Sequence, residues 1–207
     1  MNTLNSYDSI APIYDRLAGL VFGSSIRKAQ LVHLNELANA STILIVGGGT
    51  GWILRDVLRT NGAAKILYVE ASAQMIALAK KNVTEADSHR VTYIHSTENA
   101  LSDIDQVDAV IINFFADLFT AGELVQVIQR FRGRLKDNGY LLCTDFVDDS
   151  IWQKAMLKVM YTFFWLTTGL STHQLSSWRR IITDQHFKCL RSTAFWGRFI
   201  ISELYQK

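Results

Sequence analysis

A short β-branched run, Ile43 to Val46, passes at once into Gly47, Gly48, Gly49, Thr50 and Gly51. Glycine turns tightly and brings backbone N–H groups against a ligand, because side chains at those positions would occupy the space the ligand needs. Nineteen residues beyond Gly51, Glu70 closes the next predicted strand. A carboxylate there can accept both hydroxyl protons of an adenosine ribose. A glycine run alone reads as a tight turn, and a lone strand-end Glu as a solvated charge. Their joint occurrence in this order points instead to a nucleotide-type ligand held at the end of a sheet by Gly47, Gly49, Gly51 and Glu70.

The elements that must position these residues follow from hydrophobic spacing. Tyr7 to Phe22 and Ser25 to Ala38 show helical periodicity, with Pro12 in an early turn and Gly23 and Ser24 between the two segments. Strands are predicted over Ile43 to Val46, Lys65 to Val69, Val91 to Ile94, Ala109 to Ile112 and Tyr140 to Thr144. Helices intervene over Trp52 to Arg59, Ala73 to Val83 and Leu118 to Leu135. Such alternation implies parallel pairing, since each parallel crossover needs about a dozen residues. After Asp145 come helices over about Ile151 to Thr167 and Leu175 to Gln185, then strands over Phe187 to Ala194 and Phe199 to Leu204. Trp196, Gly197 and Arg198 are too short a connection for a parallel crossover, so the last two strands form an antiparallel hairpin. The expected architecture is a doubly wound α/β sheet of seven strands, mostly parallel with an antiparallel C-terminal hairpin. It forms one domain over residues 1–207, with N-terminal helices over about 7–39 and a helical cap over about 151–185.

Bulk properties narrow the function classes. A 207-residue chain that is 49% hydrophobic and 19% charged suits one packed globular enzyme. The formal charge of +2 and the scattered Lys and Arg residues provide no basic tract for phosphates, so nucleic acid is not an expected partner. Cys143 and Cys189 have neither metal-ligand spacing nor a disulfide framework and read as two buried thiols in a reducing compartment. Met1 to Ile10 lacks the basic start and apolar stretch of a signal peptide. Val159 to Leu170 falls short of the ~20 apolar residues a membrane helix needs. A cytoplasmic location without metal or membrane span is the expectation.

A dinucleotide dehydrogenase with G-x-G-x-x-G would place its third glycine at position 52, where this chain has Trp52. That counts against the alternative of an NAD(P)-dependent oxidoreductase. The spacing G-x-G-x-G and the terminal hairpin resemble class I S-adenosylmethionine-dependent methyltransferases. Ile43 to Gly51 reads ILIVGGGTG, similar to the first motif of that family, and Tyr68 to Met75 reads YVEASAQM, similar to the second. Lys136 to Leu142 (KDNGYLL) resembles the turn into strand five. Tyr7, Asp8, Ile10, Ala11, Tyr14 and Asp15 resemble the start of quinone-type members.

The resemblance implies S-adenosylmethionine as cofactor, S-adenosylhomocysteine as product and a small-molecule methyl acceptor. Gly47, Gly49 and Gly51 would meet the methionine part, Glu70 the ribose, and Ala71 and Met75 the adenine. The third motif departs from the family, whose acidic residue near the adenine amino group is replaced here by Ser96 and Thr97, with Glu98 as the alternative partner. Asn113, Phe114 and Phe115 would lie at the amino-acid end of the cofactor and the opening toward the acceptor.

Methyl transfer from a sulfonium is an in-line displacement that needs alignment more than a catalytic triad. Tyr7, Tyr14 and His173 are candidates near the reaction, each with a competing reading as an ordinary helix or surface residue, and the catalytic assignment stays open. Met156, Met160, Tyr161, Phe163, Phe164, Trp165 and Trp178 suit an apolar acceptor pocket, a core, or a homodimer interface. The departure at Ser96 also leaves room for a methyltransferase-like scaffold protein that has lost catalysis.

Overall fold

The computed structural model describes residues 22–168 and 177–207. Its strands are β1 (Thr42–Val46), β2 (Lys65–Glu70), β3 (Val91–His95), β4 (Val107–Asn113), β5 (Leu135–Phe146), β6 (Lys188–Phe195) and β7 (Ile200–Gln206). Its helices are α1 (Ser25–Leu31), α2 (Leu54–Thr60), α3 (Ala73–Lys80), α4 (Ala121–Arg134), α5 (Ile151–Thr168) and α6 (Trp178–Asp184). The seven strands form one sheet in the order β3-β2-β1-β4-β5-β7-β6. β1 pairs in parallel with both β2 and β4, so the winding reverses beside it and opens a crevice at the carboxyl ends of these strands. β7 runs antiparallel between β5 and β6, which gives the expected terminal hairpin.

β4 shows why a central strand here must be apolar throughout. Val110 and Ile112 enter one core with Leu124, Ile128 and Phe131 of α4, while Ala109 and Ile111 enter another with Leu54 and Val57 of α2. Successive side chains alternate between faces, and both faces are covered. α4 begins at a capping box in which the Thr120 hydroxyl accepts from the Glu123 N–H and the Glu123 carboxylate accepts from the Thr120 N–H.

Several boundaries differ from the sequence expectation. The helix expected over Ser25 to Ala38 is α1 followed by a 3-10 turn at Leu34–Leu37. α3 stops at Lys80, and beyond it Asn82 Nδ2 donates to the Thr50 carbonyl at 2.9 Å. β5 starts at Leu135 directly after α4, with a register irregularity that skips from the Val107–Leu135 pair to the Ala109–Tyr140 pair. Within the skipped stretch Asn138 takes φ 62°, the left-handed region that short polar side chains tolerate.

Two expectations are corrected. The helix near Leu175 to Gln185 is not part of a cap. As α6 it lies in the main core, where Trp178 is 1% exposed and donates its indole N–H to the Phe146 carbonyl at 2.8 Å. Trp178 therefore serves the core that α6 shares with α4. Of the two cysteines, Cys143 is buried on β5, but Cys189 is exposed on edge strand β6. Edge position leaves one flank of that strand open. Tyr7, Tyr14 and His173 lie outside the described residues, as do the side chains of Tyr161, Phe163, Phe164 and Trp165. Among the described residues no helix is long and apolar enough to cross a membrane.

Candidate active site

β1 delivers the glycine turn to the crevice. The Gly47 N–H continues the β1–β2 ladder to the Val69 carbonyl at 2.9 Å, and Gly47, Gly49 and Gly51 take φ 63°, 62° and 72°. These are left-handed values at which a Cβ is strained. Their surroundings separate the roles that the spacing had merged. A Cβ on Gly47 would meet the Phe115 ring at 2.5 Å, and one on Gly51 would meet Cα of Ala79 at 2.7 Å, whereas a Cβ on Gly49 would meet nothing within 4 Å among the described residues. Gly49 thus needs glycine for its left-handed φ and leaves open space beside it, while Gly47 and Gly51 are demanded in addition by close packing on Phe115 and α3.

Glu70 ends β2 with its side chain almost enclosed, at 9% exposure. Its Oε2 accepts the Gly49 N–H and its Oε1 accepts the Ser72 N–H, both at 2.9 Å. A carboxylate has about four lone-pair directions, so two remain for hydroxyl donors. Ala71 and Met75 are half-buried beside it, where the Ser72 hydroxyl caps α3 by accepting the Met75 N–H. Ser96 is brought against the same point, its N–H donating to the Glu70 carbonyl at 3.1 Å. The Thr97 hydroxyl accepts from the Asn99 N–H at the head of a 3-10 turn. Glu98 lines a small cleft with Phe119, Glu123 and Arg130.

β4 supplies the opposite wall. Asn113 carries a buried side-chain oxygen that has no partner among the described residues, an acceptor left open for a donor. Phe114 follows with φ 51° and packs on Phe146 with ring centroids 4.8 Å apart. Phe22, Phe146, Phe199 and Trp196 continue this aromatic cluster, and Met156 and Met160 of α5 pack on it.

Sequence reasoning missed the group that holds this wall. Asp145 is wholly buried at the end of β5, where its Oδ2 accepts the N–H groups of Phe115 and Ala116 at 3.1 and 2.8 Å and its Oδ1 accepts that of Phe146 at 2.7 Å. Asp117 lies in the same turn with a buried Oδ1 that has no partner among the described residues. Burial and the mutual proximity of the two carboxyls push Asp145 well above the carboxylate range, and burial raises Asp117 to about 6. No local pattern marks either residue, since the pair forms only when β4 and β5 meet.

The raised Asp117 value carries a pH prediction. A carboxyl whose folded pKa lies above its unfolded value of about 3.9 contributes stability that is complete below pH 4 and lost as pH rises through about 6. Asp117→Asn removes that loss and should stabilise the protein at pH 7.5 relative to pH 4 by about 2 to 3 kcal/mol. Urea unfolding of both proteins at the two pH values measures it, and an Asn-minus-Asp difference that is equal at both would refute it.

The residues expected to hold a cofactor, Gly47, Gly49, Gly51, Glu70, Ala71, Met75, Ser96, Thr97 and Asn113, thus lie at the ends of four adjacent parallel strands. The open face of Gly49, the free lone pairs of Glu70 and the orphan oxygen of Asn113 fit a ligand with a ribose and an ammonium group.

Comparisons with known proteins agree. Residues 43–139 match a family profile described as a methyltransferase domain. A demethylmenaquinone methyltransferase of Listeria monocytogenes is 27% identical over 143 residues, covering 67% of this chain and 60% of its own length. The chain therefore spans less than two thirds of that relative. An O-methyltransferase family protein from Burkholderia thailandensis superposes with a TM-score of 0.73 at 18% identity, covering 97% of this chain and 58% of the other. Human N-acetylserotonin methyltransferase, solved in complex with S-adenosylmethionine, superposes with a TM-score of 0.68 at 12% identity over 99% of this chain and 56% of its own. Residues 43–139 thus match a methyltransferase-domain profile, and the described chain shares its fold with the solved methyltransferase structures on which it superposes.

Proposed function

We propose that this protein transfers a methyl group from S-adenosylmethionine to an apolar or aromatic small molecule. The observation that carries the reading is the Glu70 carboxylate, pinned by the Gly49 and Ser72 N–H groups at the crevice where the sheet reverses. When bound, the cofactor supplies an electrophilic methyl on a sulfonium. Glu70 would take the ribose hydroxyls on its remaining lone pairs, and Asn113 Oδ1 would accept from the ammonium of the amino-acid end. Ala71 and Met75 would lie on the adenine, with Ser96 at its polar edge.

Support for the acceptor class comes from the cluster beyond Asn113. Phe114, Phe146, Phe199 and Trp196 offer aromatic faces that would stack on a ring and shed water from the reacting atoms. One of the relatives named above is a demethylmenaquinone methyltransferase. The exposed Cys189 thiol suits a reducing, cytoplasmic setting, which belongs to the same proposal.

Calorimetric titration with S-adenosylmethionine, S-adenosylhomocysteine and NADH in parallel tests the site. Micromolar binding of the first two alone is expected. NADH binding alone would move the reading to an oxidoreductase, and binding of none would favour a scaffold.

A further inference from the structure

The glycine run has a fourth member, Gly48, that ligand access does not account for. A Cβ on Gly48 would meet the Tyr68 ring and hydroxyl at 2.3 to 2.5 Å, so the space it leaves is filled by Tyr68. Tyr68 is fully buried on β2, tilted against Tyr93 with ring centroids 5.6 Å apart. Its hydroxyl reaches up through that space and donates to the Gly49 carbonyl at 2.7 Å. Two residues along the same strand, and therefore on the same face, Glu70 accepts the Gly49 N–H at 2.9 Å. Both backbone polar groups of Gly49 are held by β2, and only its Cα side faces open space.

We propose that Tyr68 is a positioning residue for the cofactor, its hydroxyl setting the orientation of the Gly49 peptide beneath the amino-acid end, with Gly48 as the matched small partner that lets it reach there. The proposal rests on the methyltransferase reading of the same site. Asn82, donating to the Thr50 carbonyl at 2.9 Å, braces the next peptide from the segment just after α3, so the turn is held on both sides by the protein's own groups. A turn held in its binding geometry beforehand costs less to order on binding. Plain core packing would need only the aromatic ring of Tyr68 and would be indifferent to its hydroxyl.

Tyr68→Phe removes the hydroxyl while keeping the ring against Gly48 and Tyr93. The probes are S-adenosylhomocysteine and 5′-methylthioadenosine, which retains the nucleoside but lacks the amino-acid end. The expected result is a roughly 3- to 10-fold loss of S-adenosylhomocysteine affinity, the scale of one hydrogen bond, with 5′-methylthioadenosine affinity unchanged. Equal loss for both probes, or no loss for either, would overturn the positioning role. Gly48→Ala tests the partner: a thermal midpoint lower than wild type, recovered by adding Tyr68→Val, is expected. A wild-type midpoint in Gly48→Ala would overturn the matched pair. Wild-type protein that binds neither probe would overturn the underlying site reading and this proposal with it, a result distinct from a selective loss in the variant.

Discussion

Glu70→Ala should lower the affinity for S-adenosylhomocysteine by roughly 100-fold or more. Two hydrogen bonds from ribose hydroxyls to a charged acceptor are worth about 3 kcal/mol together at the low end. The same change should also cost about 2 kcal/mol of stability, because the Gly49 and Ser72 N–H groups lose the oxygens that accept them. Glu70→Gln separates the two effects. Its single carbonyl oxygen can accept only part of what the carboxylate did, and its amide N–H₂ faces backbone donors. Its affinity should fall between wild type and the alanine variant. Calorimetry and urea unfolding on all three proteins make the comparison, and wild-type affinity in Glu70→Ala would remove Glu70 from the site.

The second large effect contrasts two glycines that look alike in the sequence. Gly51→Ala forces a Cβ at φ 72° to within 2.4 Å of the Ala79 Cβ and 2.7 Å of its Cα, so α3 itself must shift. Left-handed strain and overpacking together should cost about 4 kcal/mol. For a chain of this size that lowers the thermal midpoint by roughly 8 to 16 °C. Gly49→Ala has φ 62° but open space around the new methyl, so strain alone should cost about 1 to 2 kcal/mol. That methyl stands where the ligand would approach, and S-adenosylhomocysteine affinity should fall by at least about 10-fold, the equivalent of 1.4 kcal/mol. The assignment fails if the pattern reverses, with Gly51→Ala folding normally and Gly49→Ala binding normally.

These predictions mark where local pattern was informative. Ile43 to Val46 read as a strand because β-branched residues ran into glycine, and the structure places β1 there with one residue added. Glu70 stood out because it closes the next predicted strand nineteen residues after the glycine turn, and its position at the mouth of the crevice follows from β2 pairing beside β1. The helix around Trp178 was misread because an amphipathic helix has the same periodicity whether it covers a pocket or a sheet. The direction of its indole, donating to the Phe146 carbonyl, decides the matter. Cys189 was expected buried on composition alone, and strand order puts it on the edge.

What the sequence by itself determined was everything that depends on neighbours along the chain: the alternation of strands and helices, the short terminal hairpin, the glycine turn and the acidic residue after it. Their physical causes, side-chain periodicity and backbone conformational freedom, act over a few residues. Only the tertiary structure decided which glycine faces open space, because Phe115, Tyr68 and Ala79 reach Gly47, Gly48 and Gly51 from the turn after β4, from β2 and from α3. It alone joined Asp117 to Asp145, two carboxyls on different segments whose raised pKa values come from shared burial. Packing density and desolvation belong to the assembled sheet, and no segment carries them in isolation.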